Sequence, residues 1–326
     1  MSEEKPKLII QIPCLNEAGT LHRLLEEIPE KISGVSRIET LVIDDGSTDR
    51  TGDIARSKGA DHVIRFANTK GLARAFAAGI DASLRLDADI IVNLDGDGQY
   101  DPREIAGLIA PILEKKAEMV VGDREVGKLP HFSAGKKALQ KAGSWVVRKV
   151  SRTDIPDVTS GFRAMSREAA LAVNVITDFT YTLETLIQAG KENIPLGHVK
   201  VKSRPVRRKS RLFKTLSEYV YKSATTVIRV YTMYKPFKVF TLSASIVLLA
   251  GIASAGRFLW FHLAGAGSGH LGYLIAAAFA SLLSFQIFLI GLTAELIAVN
   301  RKLIENSLRR IKNIELTKNK RPGDTG

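Results

Sequence analysis

The sequence predicts a layered α/β domain on a largely parallel sheet, then an amphipathic segment, then a hairpin of two membrane-spanning helices. Three observations predict it. Over residues 1–200, short apolar runs alternate with helical patterns, the order that builds parallel βαβ layers. Polar residues stand where those runs stop: Asp44, Asp45, Asp95, Asp97, Asp123 and Arg124, besides Pro13. In an open α/β sheet the ligand crevice lies at the carboxyl ends of the strands, so such a gathering is hard to explain by packing. Two long apolar stretches, 239–261 and 273–299, follow in the C-terminal third.

The first strand spans 8–13 and stops at Pro13-Cys14-Leu15-Asn16-Glu17, with a helix expected over 18–31. A second strand, 40–44, runs into Asp44-Asp45-Gly46-Ser47-Thr48-Asp49 and a helix over 48–58. Taken singly these are strand-to-helix turns, with Asn16, Ser47 or Asp49 suited to capping. Strand 62–65 and helix 72–86 precede the fourth strand, 89–95. Asp101-Pro102 with Glu104 opens the next helix, 102–116, with Asp at the N-cap and Pro in the first turn. Strand 119–122, helix 134–152 and strand 194–201 complete the layer. The boundaries fall at 1–211 for this domain, 212–235 for the amphipathic region, 236–300 for the hairpin and 301–326 for a basic tail.

Asp95-Gly96-Asp97-Gly98-Gln99 ends the fourth strand. Its oxygen-bearing side chains alternate with glycines, so Asp95, Asp97 and Gln99 are able to converge on one hard cation. Mg²⁺ or Mn²⁺ held this way keeps open positions for substrate phosphates. An acidic turn that merely ends a strand is the alternative. An EF-hand does not fit, because Tyr100 stands where that loop needs glycine. Gly122-Asp-Arg-Glu-Val-Gly127-Lys128 misses a P-loop, since Leu129 replaces the hydroxyl that a P-loop offers to Mg²⁺.

Charge separates the two parts of the chain. Residues 1–200 hold 27 basic and 29 acidic residues, whereas 201–326 hold 20 and 5. A basic excess beside apolar helices reads as contact with an anionic membrane face, and no nucleic-acid module is present. Cys14 is the only cysteine, which excludes an intramolecular disulfide and a cysteine metal cluster. No secretory signal is visible near the start, so the N-terminal domain is expected on the cytoplasmic side.

Between 212 and 234, Leu212, Leu216, Tyr219, Val220, Val227, Tyr231 and Tyr234 recur at helical spacing, with Lys214, Glu218, Lys222 and Arg229 on another face. Such a helix suits the membrane interface. The stretch 239–261 spans ~34 Å as a helix, enough for a hydrocarbon core of ~30 Å. A short glycine-rich connection, 262–272, makes the two stretches a hairpin. Lys235 and Lys238 precede it, and Arg301, Lys302, Arg309, Arg310 and Lys312 follow it, so the positive-inside rule places both flanks and both termini in the cytoplasm. Gly251, Ala255, Ala276 and Ala280 permit close helix approach, within the hairpin or between subunits of a homo-oligomer.

Together, in this order and spacing, Pro13-Cys-Leu-Asn-Glu17, Thr40-Leu-Val-Ile-Asp-Asp-Gly-Ser-Thr-Asp49 and Asp95-Gly-Asp-Gly-Gln99 resemble the nucleotide-binding half of family 2 inverting glycosyltransferases of the GT-A (Rossmann-like) fold. Ser160-Gly161-Phe162-Arg163, Arg204, Lys209-Ser210-Arg211 and the hairpin narrow this to the polyisoprenyl-phosphate glycosyltransferases: dolichol-phosphate mannose synthases and their undecaprenyl-phosphate relatives. The resemblance covers about residues 7–300. It implies that Pro13, Leu15, Glu17, Val42 and Asp44 line the base and ribose pocket of a nucleotide-sugar. It implies that Asp95, Asp97 and Gln99 hold Mg²⁺ or Mn²⁺ at the diphosphate, with Gly96 allowing close approach. Arg204 and Arg211 match positions that hold the diphosphate, and Arg124, Lys137, Ser160 and Arg163 those that position the lipid phosphate. Asp157 is a secondary candidate for orienting or accepting a proton. Leu15 stands where the mannose synthases commonly carry tyrosine, which tips the expected donor to UDP-glucose, with GDP-mannose second. A processive polysaccharide synthase shares the first motifs, but its Gln-x-x-Arg-Trp signature precedes neither Trp145 nor Trp260.

Overall fold

The computed structural model describes residues 5–125, 148, 153–175, 181–204, 221, 225, 228–229, 231–233, 235–265 and 267–319. Two compact units emerge, one of residues 1–227 with 309–326 and one of residues 228–308. The expected helix 134–152 and amphipathic segment 212–235 lie outside the described residues, apart from isolated positions.

Among the described residues, the first unit holds a seven-stranded sheet, ordered β3-β2-β1-β4-β6-β5-β7. In chain order its elements are β1 (Lys7–Cys14), α1 (Ala18–Glu27), β2 (Arg37–Asp44), α2 (Thr51–Ser57), β3 (His62–Arg65), α3 (Leu72–Arg85) and β4 (Ile90–Asn93). A 3₁₀ turn (Pro102–Glu104), α4 (Ile105–Leu113), β5 (Met119–Asp123), β6 (Arg163–Ser166) and β7 (Leu196–Lys200) follow, with helices Arg167–Ala172 and Tyr181–Lys191 after β6. Leu8, Ile9, Ile10 and Ile12 of β1 are all buried, as a strand covered on both faces requires. The strand order reverses between β2 and β4 around β1, which opens a crevice at the carboxyl edge.

Several expected ends move, for local reasons. The first helix stops at Glu27 because Ile28 precedes Pro29 and is extended, with φ −67° and ψ 128°. Strand β4 begins after Asp89, whose carboxylate accepts the Lys7 N–H at 2.8 Å. The larger departure is β6, which sequence periodicity did not announce. It runs antiparallel between β4 and β5, with Asn93 and Val121 both opposite Arg163. Because β6 runs backwards, the turn entering it lies at the same edge as the exits of β4 and β5.

The second unit contains the helix Pro236–Leu263 and the part of the helix Leu271–Asn319 up to residue 308. Both helices are long and apolar enough to cross a membrane. They meet through small residues: a Cβ on Gly251 would stand 3.0 Å from that of Ala280. Ser284 donates to the Ala244 carbonyl at 2.8 Å and Ser254 to the Tyr273 carbonyl at 2.9 Å, the hydroxyl bonds that suit helices in a low-dielectric medium. Outward-facing leucines and isoleucines, among them Leu249, Leu282 and Ile290, remain exposed.

Candidate active site

The site assembles along the carboxyl edge of the sheet. In register there, Arg65 lies beside Asp44 and Asp44 beside Cys14, while Gln11 pairs with Asn93 and Asn93 with Arg163. The exits of β1 and β2 interlock. Asn16, in the left-handed region at φ 53°, accepts the Thr48 N–H at 2.8 Å and donates its own N–H to Ser47 Oγ at 2.9 Å. The Glu17 N–H is bound by Thr51 Oγ1 at 2.8 Å. Asn16 and Ser47 thus join two loops instead of capping their own helices, and α2 starts only at Thr51.

Two expected base-pocket residues are interior. Val42 belongs to the hydrophobic core. Asp44 is wholly buried; its Oδ1 accepts the Ser47 N–H at 2.8 Å and its Oδ2 lies 3.3 Å from Arg65 Nε. The group presented outward is Arg65, 44 % exposed. Pro13 is buried, Leu15 half-buried and Glu17 buried. Asp45 accepts the N–H groups of Lys70 and Gly71 at 2.7 and 2.9 Å and so ties down the loop before α3.

The acidic loop follows β4. Asn93 is buried and donates to the Gly161 carbonyl at 2.8 Å, while its Oδ1 accepts from Gln11 at 2.8 Å. Asp95 is half-buried, with Tyr181 donating to its Oδ1 at 3.4 Å. Tyr181 stacks on Phe76 with ring centres 4.0 Å apart. Gly96 is needed because a Cβ there would stand 2.5 Å from Cys14 Sγ. Asp97 Oδ1 accepts the Gln99 main-chain N–H at 3.0 Å, which closes a tight turn within the loop. Burial, and then the neighbouring Asp97 carboxylate, pushes Asp95 up to about 6. Mutually repelling carboxylates on a glycine-flexible loop are a donor set that fits a divalent cation. No group of three or more His, Cys, Asp or Glu converges among the described residues, so such a cation would draw further oxygens from a bound ligand.

A raised folded-state pKa means that ionised Asp95 costs stability once the pH passes about 6, a cost absent below the ordinary carboxylate value. Asp95→Asn is therefore expected to raise the melting temperature of the cation-free protein at pH 8, on the order of 1 kcal/mol, with the gain shrinking toward pH 5. Melting in EDTA across that range tests it; a drop at pH 8 contradicts it.

Opposite this loop, Arg124 leaves β5 and grips Asp157, with Nε 2.6 Å from Oδ2 and Nη2 3.0 Å from Oδ1. Thr159 Oγ1 accepts from Nη2 at 2.8 Å. Burial acts against the carboxylate, but the charge and hydrogen bonds of Arg124, with Thr159, outweigh it and hold Asp157 below the usual range. A carboxylate so held is a poor proton acceptor; it aims Arg124. Ser160 and Arg163 depart from the expected phosphate contact. Both are wholly buried. Ser160 Oγ pairs with Tyr100 Oη at 3.2 Å. The Arg163 guanidinium donates to the carbonyls of Ser160, Thr182 and Val158 at 2.8, 2.8 and 2.9 Å and to Thr185 Oγ1 at 2.7 Å. It shapes the Val158–Ser160 turn from within.

Arg204 also departs from expectation. No acid lies near it in sequence, yet Nη1 is 2.6 Å from Glu27 and Nη2 2.8 Å from Asp101. Lys137 and Arg211 lie outside the described residues. Sequence reading missed Arg65, Asn93, Tyr100 and Tyr181. Arg65 ends a predicted strand and was available on that ground, whereas the buried tyrosines carry no local signal.

A mixed α/β sheet of the GT-A fold, with an acidic loop at its switch point, defines a nucleotide-sugar transferase architecture. The chain belongs to glycosyl transferase family 2, whose profile matches residues 9–172, and it is a glycosyltransferase. It is 30% identical over 179 residues to the undecaprenyl-phosphate mannosyltransferase of Micrococcus luteus, covering 52% of this chain and 70% of that one. The polyprenol monophosphomannose synthase of Mycolicibacterium smegmatis is 30% identical over 169 residues, 50% of this chain and 62% of its own. The dolichol-phosphate mannosyltransferase of Pyrococcus furiosus is 31% identical over 191 residues, 56% of this chain and 53% of its own. Among solved structures, glucosyl-3-phosphoglycerate synthase from Mycobacterium tuberculosis, in complex with Mn²⁺, UDP and glucosyl-3-phosphoglycerate, shares the fold. Its TM-score is 0.54 at 19% identity, over 70% of this chain and 79% of that one.

Proposed function

We propose that this enzyme transfers a hexose from a nucleotide-sugar to the phosphate of a polyisoprenyl lipid, with inversion at the anomeric carbon. The observation that carries the reading is the shared edge: the Asp95–Asp97 loop and the Arg124–Asp157 pair leave neighbouring parts of one sheet. One is suited to a donor diphosphate, the other to an anionic acceptor. The names of the relatives support the lipid acceptor and shift the donor from the expected UDP-glucose to GDP-mannose, with UDP-glucose second.

In this reading the acceptor's phosphate oxygen attacks the anomeric carbon while the nucleoside diphosphate departs. A phosphate monoester is largely dianionic near neutral pH, since its second pKa is ~6, so no strong general base is required. That agrees with Asp157 being committed to Arg124. Arg124, charged at all working pH, orients the incoming phosphate and lowers the cost of bringing two anions together. Mg²⁺ or Mn²⁺ at Asp95, Asp97 and Gln99 would stabilise the negative charge of the leaving diphosphate. The solved structures that share the fold, crystallised with Mn²⁺ or Mg²⁺ and UDP, support that choice.

The decisive assay offers labelled GDP-mannose and UDP-glucose to the purified protein with undecaprenyl or dolichyl phosphate. A lipid-linked sugar is expected; transfer to water-soluble acceptors alone would refute the reading. The exposed apolar helices support membrane association through a two-span hairpin, with the catalytic unit and both termini cytoplasmic. A cysteine introduced at Gly267 is then expected to react with an impermeant reagent from the far side only. Labelling from the catalytic side contradicts the topology.

A further inference from the structure

The cluster around Arg204 has a task that neither a surface arginine nor a ligand-binding one explains. Both terminal nitrogens of its guanidinium are engaged, one with Glu27 at the end of α1 and one with Asp101 at the start of the 3₁₀ turn. The side chains of the three residues are only 28%, 13% and 19% exposed. The acids are themselves anchored: Glu27 accepts from Arg23 Nε at 2.8 Å, and Asp101 Oδ1 accepts the Arg103 N–H at 3.1 Å. The Arg204 main chain is stitched to the acidic loop, its N–H donating to the Gln99 carbonyl at 2.8 Å, and Ser203 forms an antiparallel bridge with Tyr100. The segment leaving β7 is therefore bound to the loop carrying Asp97 and Gln99 by its backbone, and held there by two charge-assisted side-chain bonds.

We propose that Arg204 is a positioning residue that clamps the acidic loop and thereby sets its affinity for the cation, and that Glu27 and Asp101 share this task. The inference rests on the reading of that loop as the cation and donor site. Ion pairs of this geometry, partly shielded from solvent and anchored at both ends, restrain a flexible Gly-Asp-Gly loop at low entropic cost. A guanidinium already divided between two carboxylates is not free to grip a diphosphate in its planar fork.

The test measures Mn²⁺ binding to the full-length chain in detergent, by electron paramagnetic resonance of free Mn²⁺, with melting curves in parallel. Arg204→Ala, Glu27→Gln and Asp101→Asn are compared, and asparagine preserves the cap that Asp101 provides. Each is expected to weaken Mn²⁺ binding about tenfold, and Glu27→Gln combined with Arg204→Ala is expected to be no worse than the worse single change. Arg204→Lys is expected to restore part of the affinity lost in Arg204→Ala. The proposal is overturned if Glu27→Gln and Asp101→Asn leave Mn²⁺ affinity unchanged or tighter while Arg204→Ala lowers turnover, because Arg204 then acts on the donor itself. It is also overturned if the variants melt lower but their folded fraction binds Mn²⁺ as the parent does. Failure of the parent protein to bind Mn²⁺ would instead remove the cation site on which the proposed function stands.

Discussion

Asp97→Ala is expected to lower sugar transfer at least a hundredfold while the melting temperature of the cation-free protein hardly moves. Asp97 is half-buried at the tip of the acidic loop, and the bond it makes within the loop is the one accepted from the Gln99 N–H at 3.0 Å. Losing that turn costs about 0.5–1.5 kcal/mol. Removing a negative charge from beside Asp95 offsets part of this, since Asp97 is one cause of the raised Asp95 pKa. The catalytic loss has no such offset, because a ligand to a cation that stabilises the leaving diphosphate contributes several kcal/mol to the transition state. Excess EDTA should reproduce the effect in the parent enzyme. Turnover in the variant near that of the parent, or full parent activity in EDTA, would show that this loop holds no catalytic cation.

Gly161→Ala is expected to be comparably damaging, by a different route. A Cβ at this position would stand 2.8 Å from Asp95 Oδ1 and from Tyr181 Oη, and nearer still to Asp95 Oδ2. These contacts are far below van der Waals separation, and the Phe76 stack keeps the Tyr181 ring from retreating. The carboxylate has to give way. Overpacking of this kind costs about 1–3 kcal/mol of stability, and displacement of Asp95 should reduce both Mn²⁺ affinity and transfer by a hundredfold or more. Gly107→Ala is the control: nothing lies within 4 Å of a Cβ there, and in a helix the change should be neutral or mildly stabilising. Equal activity in the two variants would mean that the Ser160–Gly161 turn does not support Asp95.

How much of this was legible beforehand follows the range of the forces involved. The strands up to β5, the helices α1 to α4 and the membrane-length helices were readable from periodicity and apolar length, which act over a few neighbouring residues. The acidic loop was readable too, because its alternation of glycine and oxygen donors is contained in five consecutive positions, 95–99. Strand β6 was not, since Arg163–Ser166 becomes a strand only by pairing with β4 and β5 across the sheet.

That reversed strand decides the surroundings of the Arg124–Asp157 pair. It returns the Asp157–Gly161 turn to the edge where β4 and β5 end, and it draws Arg163 inside as the turn's support instead of leaving it to a phosphate. Charge pairing was misread for the same reason. Arg204 stands in a basic stretch with no acid nearby in sequence, but one of its carboxylate partners, Glu27, is 177 residues away. Asp44 looked exposed to a base, but it is wholly buried, with the Ser47 N–H on one carboxylate oxygen and Arg65 3.3 Å from the other. The sequence by itself determined the polar motifs at the strand ends, the alternation of oxygen donors and glycines in the acidic loop and the two long apolar helices, because each is a property of contiguous residues. Which charged groups face a ligand and which are spent within the fold was decided only by tertiary structure, because burial and ion pairing depend on distance in space and not along the chain.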